Sequence, residues 1–155
     1  MKPHLAKQRV VLVCQGEKIE CSVLHKAVAA HDQPCVTLDV VQAIVTAHPG
    51  SLWALDAHNR LPVHVALLKS ASKSIVEFLL QGPKVVRQED DEGNTALNYA
   101  LLYGTPDIAL RICQAWPKAL QLKNKKQRLP LHVLASVWSD LEDPSSPEST
   151  NWMNV

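Results

Sequence analysis

Apolar residues recur at helical spacing in short blocks along the chain, and prolines and glycines separate the blocks. The clearest block runs over 107–115. Thr105 and Pro106 before it are typical of a helix N-cap and first turn, and Gly104 ends the preceding block. An extended segment and a tight turn are expected after the proline that closes each second helix. The pattern predicts helix pairs at about 23–30 and 38–47, 63–70 and 73–81, and 97–103 and 107–115.

A repeat of about 34 residues organises this pattern. The equivalent positions His64, Asn98 and His132 are evenly spaced, one repeat apart. The same interval separates the prolines that end the second helices, Pro49, Pro83 and Pro117. An earlier copy contains His25, but this residue precedes His64 by more than one repeat, and the extra residues fit at HDQPC (31–35). Because insertions in solenoid repeats usually lengthen a loop, the first copy is expected to have a longer turn between its helices.

A short motif opens each copy of the repeat. Leu61–Ala66, Thr95–Ala100 and Leu129–His132 carry versions of T-P-L-H-x-A, and Ser22–Ala27 matches it more weakly. The motif and the helix-turn-helix-loop pattern resemble the ankyrin repeat family. The resemblance implies an all-α, ankyrin-like repeat solenoid. It assigns 1–20 to an N-terminal flank or cap, 21–141 to repeats (about 22–60, 61–94, 95–128 and the partial 129–141) and 142–155 to a polar tail expected to be disordered.

The resemblance also implies a function. In ankyrin proteins the hairpin tips and the exposed positions of the first helices form a concave surface that binds another protein. Tyr103 is the strongest single candidate, because an aromatic ring offers a large contact area at low entropic cost. The competing interpretation is that Tyr103 covers a leucine of the neighbouring repeat. The binding positions that the resemblance assigns are His58, Arg60, Leu68, Lys69, Asp91, Glu92, Asn94, Tyr103, Lys125, Lys126 and Arg128.

Two opposed charge blocks occur in a nearly neutral chain. Glu89–Glu92 holds four acids and Lys123–Arg128 holds four cations, whereas the 155 residues together have a net charge of +1. This balance disfavours nucleic acid or an anionic membrane as the main partner. Since equivalent positions of successive repeats are neighbours, the blocks are expected to pair with each other, as Glu89 with Lys123, Asp91 with Lys125 and Glu92 with Lys126. The basic surplus over 118–128 leaves an alternative function, the binding of nucleic acid or another anionic ligand.

The sequence contains no motif for catalysis, phosphate binding or zinc coordination. Histidines one repeat apart lie roughly 10 Å from each other, too far to share a metal ion, and are interpreted as structural. The four cysteines form no CxxC pair and are expected to be reduced thiols. Without a secretory pattern or an apolar stretch of roughly 18 residues, the cytoplasm is favoured, with the nucleus as the alternative. We therefore expect a non-enzymatic scaffold without metal or cofactor, monomeric or weakly self-associating through uncapped repeat ends.

Overall fold

The computed structural model describes residues 10–14, 17–30, 36–82 and 84–141, and this part of the chain is mostly helical, as expected for an all-α protein. One β-hairpin, which the sequence did not predict, precedes the helices. Its antiparallel strands are β1 (Val10–Cys14) and β2 (Glu17–Cys21), and the β-branched residues of VVLVC suit a strand. The helices are α1 (Val23–Ala29), α2 (Leu38–Ala47), α3 (Pro62–Leu68), α4 (Lys73–Leu79), α5 (Ala96–Tyr103), α6 (Pro106–Ala115) and α7 (Pro130–Leu141).

The helix ends lie within about two residues of the predicted positions. At the start of α6, Pro106 occupies the first turn and Thr105 has extended backbone angles, although its side chain makes no capping hydrogen bond. At the end of α5, a Cβ on Gly104 would lie 2.7 Å from the Ala100 carbonyl oxygen, so this close approach requires glycine. Proline and glycine therefore mark the helix boundaries for steric reasons that are readable in the sequence.

The segments after the closing prolines differ from the prediction. They are short 3-10 helices rather than extended chain, at Pro49–Trp53, Val85–Arg87 and Pro117–Gln121. Proline fixes φ near the value that a 3-10 helix needs. Turn hydrogen bonds also form, as where the Ala119 N–H donates to the Trp116 carbonyl at 3.0 Å. The compact turn buries Ala119 and Val86, which an extended segment at the surface would expose.

The helices pack in two rows. α1, α3, α5 and α7 contact one another in succession, as do α2, α4 and α6. The chain between α1 and α2 spans 30–37, whereas 69–72 connect α3 to α4, so the extra length of the first copy lies there. Its central residues 31–35, like the tail 142–155, lie outside the described residues. The core between the rows is aliphatic, and its most deeply buried members include Leu24, Val28, Val41, Val63, Leu67, Leu97 and Ile112.

Across the described residues, no helix combines the length and the apolar character that crossing a membrane requires.

Candidate partner-binding surface

The hairpins that precede α3, α5 and α7 are each built around one buried polar side chain. These side chains occupy equivalent positions of successive repeats and belong to Asp56, Asp90 and Asn124. Asp90 is only 9% exposed, and its Oδ1 accepts 2.8 Å hydrogen bonds from the backbone N–H groups of Glu92 and Asn94. Its Oδ2 accepts a 2.6 Å bond from the hydroxyl of Tyr99. A single buried carboxylate thus closes the turn and fixes the residues at its tip.

The first hairpin adds a buried ion pair. The Arg60 guanidinium lies 2.7 Å from Asp56 Oδ2, and the Arg60 side chain is only 22% exposed. Burial by itself raises the pKa of Asp56, but hydrogen bonds from Arg60 and from the His58 N–H outweigh it, so the pKa lies below its ordinary value. The pKa of Asp90 is lowered in the same way, with the Tyr99 hydroxyl as the leading donor against burial. Both side chains are therefore carboxylates at neutral pH.

Adjacent hairpin tips are hydrogen-bonded to each other. The Asp91 N–H donates to the His58 carbonyl at 3.1 Å. In the next pair of hairpins, the Lys125 N–H donates to the Glu92 carbonyl at 2.8 Å. Asn59 adds a side-chain contact, because its Nδ2 donates to Asp91 Oδ1 at 2.5 Å. The tips of the three hairpins are therefore parts of one ordered surface.

Each tip contains one residue in the left-handed region of backbone conformation. These residues are Asn59, Gly93 and Gln127, with φ values of 55°, 73° and 58°. A Cβ on Gly93 would also lie 3.1 Å from the Lys125 nitrogen, so glycine is favoured there both by the positive φ and by this close contact. The turn geometry recurs in each repeat even where the residue type does not.

The two charge blocks pair less completely than predicted. Glu92 and Lys126 form an ion pair at 3.3 Å, with both side chains more than half exposed. Within the described residues, the other two expected pairs, Glu89 with Lys123 and Asp91 with Lys125, form no ion pair; the Asp91 carboxylate is instead directed to Asn59 of the preceding hairpin. Because an exposed ion pair contributes only about 0.2–1 kcal/mol, the buried side chains and backbone bonds decide how the hairpins align.

The motif histidines contact the backbone. His64 Nδ1 accepts a 2.9 Å hydrogen bond from the Leu61 N–H, and Asn98 makes the equivalent contact one repeat later. His25 Nε2 donates to the Arg60 carbonyl of the following hairpin at 2.9 Å. The Nε2 of His64 approaches the Gln88 carbonyl without completing a hydrogen bond. Burial lowers the pKa of His25, and it lowers that of His64 to about 4, so both rings are neutral at pH 7.

Tyr103 lies at the exposed end of α5. Its side chain is 44% exposed, and its ring centroid is 6.5 Å from that of Tyr99. At the equivalent end of α3, Leu68 is half-buried and Lys69 is exposed. A cleft of about 110 Å³ separates the α3–α4 turn from the α5–α6 turn. The residues that line it include Leu67, Ala71, Val76, Tyr103 and Ile108. Tyr103 thus lines the same cleft as Leu67 and remains partly exposed to solvent.

The predicted binding positions fall into two groups. In the first group, side chains are already bonded within the protein; they belong to Arg60, Asp91, Glu92, Asn94 and Lys126. In the second group, no side-chain hydrogen bond or ion pair forms within the described structure; its polar members are His58, Lys69, Tyr103, Lys125 and Arg128. The second group is the part of the predicted surface whose polar side chains make no contacts of this kind within the described structure.

Two ion pairs between α4 and α6 were not identified from the sequence. The buried column, the set of buried polar side chains at equivalent repeat positions that consists of Asp56, Asp90 and Asn124, was not identified either. Between α4 and α6, Lys73 and Asp107 form an ion pair at 2.6 Å, and Glu77 and Arg111 form one at 3.3 Å. The residues of each pair are one repeat apart, as are those of the buried column. Testing every column of the repeat for complementary charge or a constant acceptor would have identified both sets.

In the part of the chain that the structure describes, no group of three or more His, Cys, Asp or Glu side chains is arranged to hold a metal ion. A comparison of the sequence with known protein-family models and with curated proteins finds no match. The function is therefore inferred from the geometry of the hairpin tips and the helix ends.

Proposed function

We propose that this protein is an ankyrin-like repeat solenoid that binds another protein and catalyses no reaction. The binding face is the concave surface of hairpin tips and first-helix ends. In this proposal the chain acts as a scaffold: its helices hold the tips in place, and the partner contacts the side chains that the fold leaves unbonded.

The observation that carries the proposal is the ladder of hydrogen bonds between the tips. Each tip is fixed from below by a buried Asp or Asn and from the side by a hydrogen bond to a neighbouring hairpin. A surface that is already ordered loses little conformational entropy on binding, so more of its contact energy contributes to affinity.

Tyr103 is the proposed anchor of the interface. Its ring is 44% exposed, lines an apolar cleft and carries a hydroxyl that can hydrogen-bond to a partner. Aromatic side chains of this kind are frequent among the residues that dominate binding energy. Lys69, at the equivalent place on α3, provides a charge beside this anchor.

The binding of nucleic acid or another anionic ligand through 118–128 is the second candidate function. The observation in its favour is that Lys123, Lys125 and Arg128 are exposed and form no ion pair within the described residues. Such binding would weaken steeply with added salt, because it releases counterions from phosphates. Binding to a protein through an aromatic anchor would depend far less on salt.

Affinity capture from cell extract tests the proposal. The full-length protein is compared with Tyr103→Ala and with Leu110→Ala, a matched control that truncates a side chain 58% exposed on α6. We expect one or more proteins to be retained by the wild type and the control, and lost with Tyr103→Ala. Equal recovery with all three proteins, at equal melting temperature, would reject this face as the binding site.

A further inference from the structure

The third hairpin presents cations that the fold does not neutralise. Lys126 is paired with Glu92 across the tip contact. Lys123, Lys125 and Arg128 are exposed, and no carboxylate of the described residues lies within ion-pair distance of them. An unpaired group of like charges is a feature that complementary charge on a partner would satisfy.

A comparison of equivalent positions explains why Arg128 is available. In the first hairpin, Arg60 is bound by the buried carboxylate of Asp56 at 2.7 Å and is largely withdrawn from solvent. In the third hairpin, the equivalent arginine is Arg128, but the buried side chain four residues before it is Asn124. The Asn124 amide accepts the Arg128 N–H at 3.0 Å and has no charge to hold the guanidinium. The change from Asp to Asn preserves the turn and leaves the arginine exposed.

The backbone beneath these cations is ordered. The Lys125 N–H is bound to Glu92, and the buried Asn124 side chain donates to Asn94 Oδ1 at 3.0 Å. The hairpin therefore presents Lys125 and Arg128 from a fixed frame, and a ligand needs to order only their side chains.

An apolar side chain lies beside the cations in the sequence. Leu131, in the first turn of α7, has a large apolar side chain that is 68% exposed. It follows Arg128 by three positions, across the junction of the hairpin and the helix. This combination suits a ligand that carries an apolar group among its negative charges.

The neighbouring hairpin makes a long polyanion that extends beyond the third hairpin a poor fit. It exposes Asp91 and Glu92, and Glu92 already contacts the basic hairpin through Lys126. A nucleic acid strand that extended from the third hairpin toward the second would meet these carboxylates, whereas a short acidic segment occupies only the basic end. Acidic peptide is therefore favoured over nucleic acid.

We infer that the third hairpin and the first turn of α7 bind a short acidic segment of a partner protein, whose carboxylates contact Lys125 and Arg128 and whose apolar side chain packs on Leu131. This inference rests on the proposed function, since it specifies the chemistry of the partner.

The test is a titration of the ¹⁵N-labelled full-length protein with the synthetic peptide GSEELEEGS, followed by amide chemical shifts. We expect shifts concentrated over 123–131 and saturable binding that weakens with salt. The peptide GSQQLQQGS, which lacks the carboxylates, and an oligothymidine of similar length are the probes for comparison. The Lys125→Gln, Arg128→Gln variant should bind the acidic peptide roughly fivefold more weakly, and Leu131→Ser should also weaken binding.

Lys84→Gln is the charge control, because Lys84 is exposed and is not among the predicted binding positions. It should leave both the melting temperature and the peptide affinity unchanged. The inference is overturned by shifts elsewhere on the protein, by the absence of saturable binding, or by equal affinity for the glutamine peptide. Tighter binding of oligothymidine would favour the nucleic acid function instead. Tighter peptide binding after Glu142→Gln, Asp143→Asn would identify the chain's own tail as the occupant.

The experiments distinguish a failure of the proposed binding face from a failure of the proposed acidic specificity. If captured proteins are lost with Tyr103→Ala but retained by Lys125→Gln, Arg128→Gln, and the peptide does not bind, the binding face holds and its acidic specificity is wrong. If Tyr103→Ala changes no capture, the proposed face fails, and the peptide titration still reports whether the third hairpin recognises acidic ligands.

Discussion

At the scale of single residues, buried polar side chains contribute more to the stability of this fold than its exposed charges do. Asp90 satisfies two backbone N–H groups and the hydroxyl of Tyr99 from one carboxylate. Its neighbour Glu89 is exposed, although both belong to the same acidic run. Asp90 and Glu89 therefore have different roles although they are adjacent and carry the same charge. Substituting each of them separately distinguishes the two roles.

We expect Asp90→Ala to lower the free energy of unfolding by about 3 kcal/mol, because it leaves buried donors without an acceptor. Urea denaturation measures the loss. Glu89→Ala is the control and should change stability by no more than about 0.5 kcal/mol. Equal effects of the two substitutions would show that Asp90 does not hold the turn.

The buried histidines make stability depend on pH. The pKa of His64 is lowered from 6.5 to about 4, so below pH 6.5 the unfolded chain binds a proton that the folded protein excludes. We expect the free energy of unfolding to fall by roughly 3 kcal/mol between pH 6.5 and 4 from this group alone. The lowered pKa of His25 adds to the fall, and the protonation of Asp56 and Asp90 extends it below pH 3.8.

The variant His64→Asn tests this explanation, since Asn98 makes the equivalent backbone contact naturally. It should remain folded and lose a large part of the dependence between pH 6.5 and 4, measured by urea denaturation at several pH values. An unchanged dependence would assign the effect to other groups.

At the scale of elements, the hairpin is the unit that joins one helix pair to the next. Its tip needs a left-handed residue, and Gly93 also faces the Lys125 nitrogen. We expect Gly93→Ala to cost about 1–3 kcal/mol, and Gln127→Gly, at a φ of 58°, to raise stability by about 0.5–1 kcal/mol. Thermal unfolding of the two variants measures both effects. A neutral Gly93→Ala would contradict the close contact between the hairpins.

The ion pair of Glu92 and Lys126 should contribute little to hairpin alignment. Both side chains are more than half exposed, so water and salt screen their attraction. A double-mutant cycle with Glu92→Gln and Lys126→Gln should give a coupling energy below about 0.5 kcal/mol. A coupling of several times that value would mean that charge, and not the buried column, sets the register.

At the scale of the whole molecule, each helix is stabilised by its contacts with the neighbouring helices of the same row. α3 and α5 have helices of the same row on both sides, whereas α7 contacts α5 alone in that row within the described residues. Native-state hydrogen exchange should therefore find the slowest amides in α3 and α5 and faster exchange in α7. Equal exchange free energies throughout would show that the described residues unfold as a single unit.

A cavity in the core beside α5 should lower the local stability of both α5 and its neighbour α3. Leu97 in α5 is fully buried, so Leu97→Ala is expected to cost about 2–5 kcal/mol. The same variant should speed amide exchange in α3 as well as in α5, because the two helices share this core. Exchange that changes only in α5 would contradict coupling between neighbouring helices of this row.

The sequence by itself determined the positions of the helices. Proline, glycine and helical periodicity act through local sterics, and the regular repeat places the same signals in successive copies. The most reliable predictions were therefore those that depend on a few neighbouring residues. The 3-10 turns after the prolines were missed, because burial of Val86 and Ala119 decides between turn and extended chain.

Only the tertiary structure decided which polar residues are buried and which are available. In the sequence, Asp90 is one acid among four, and Arg60 and Arg128 are equivalent cations. In the fold, Asp90 lies inside a turn, Asp56 neutralises Arg60, and Asn124 leaves Arg128 without a counter-charge. The reason is physical: the environment of a charge depends on groups brought close by packing, which the order of residues along the chain does not specify.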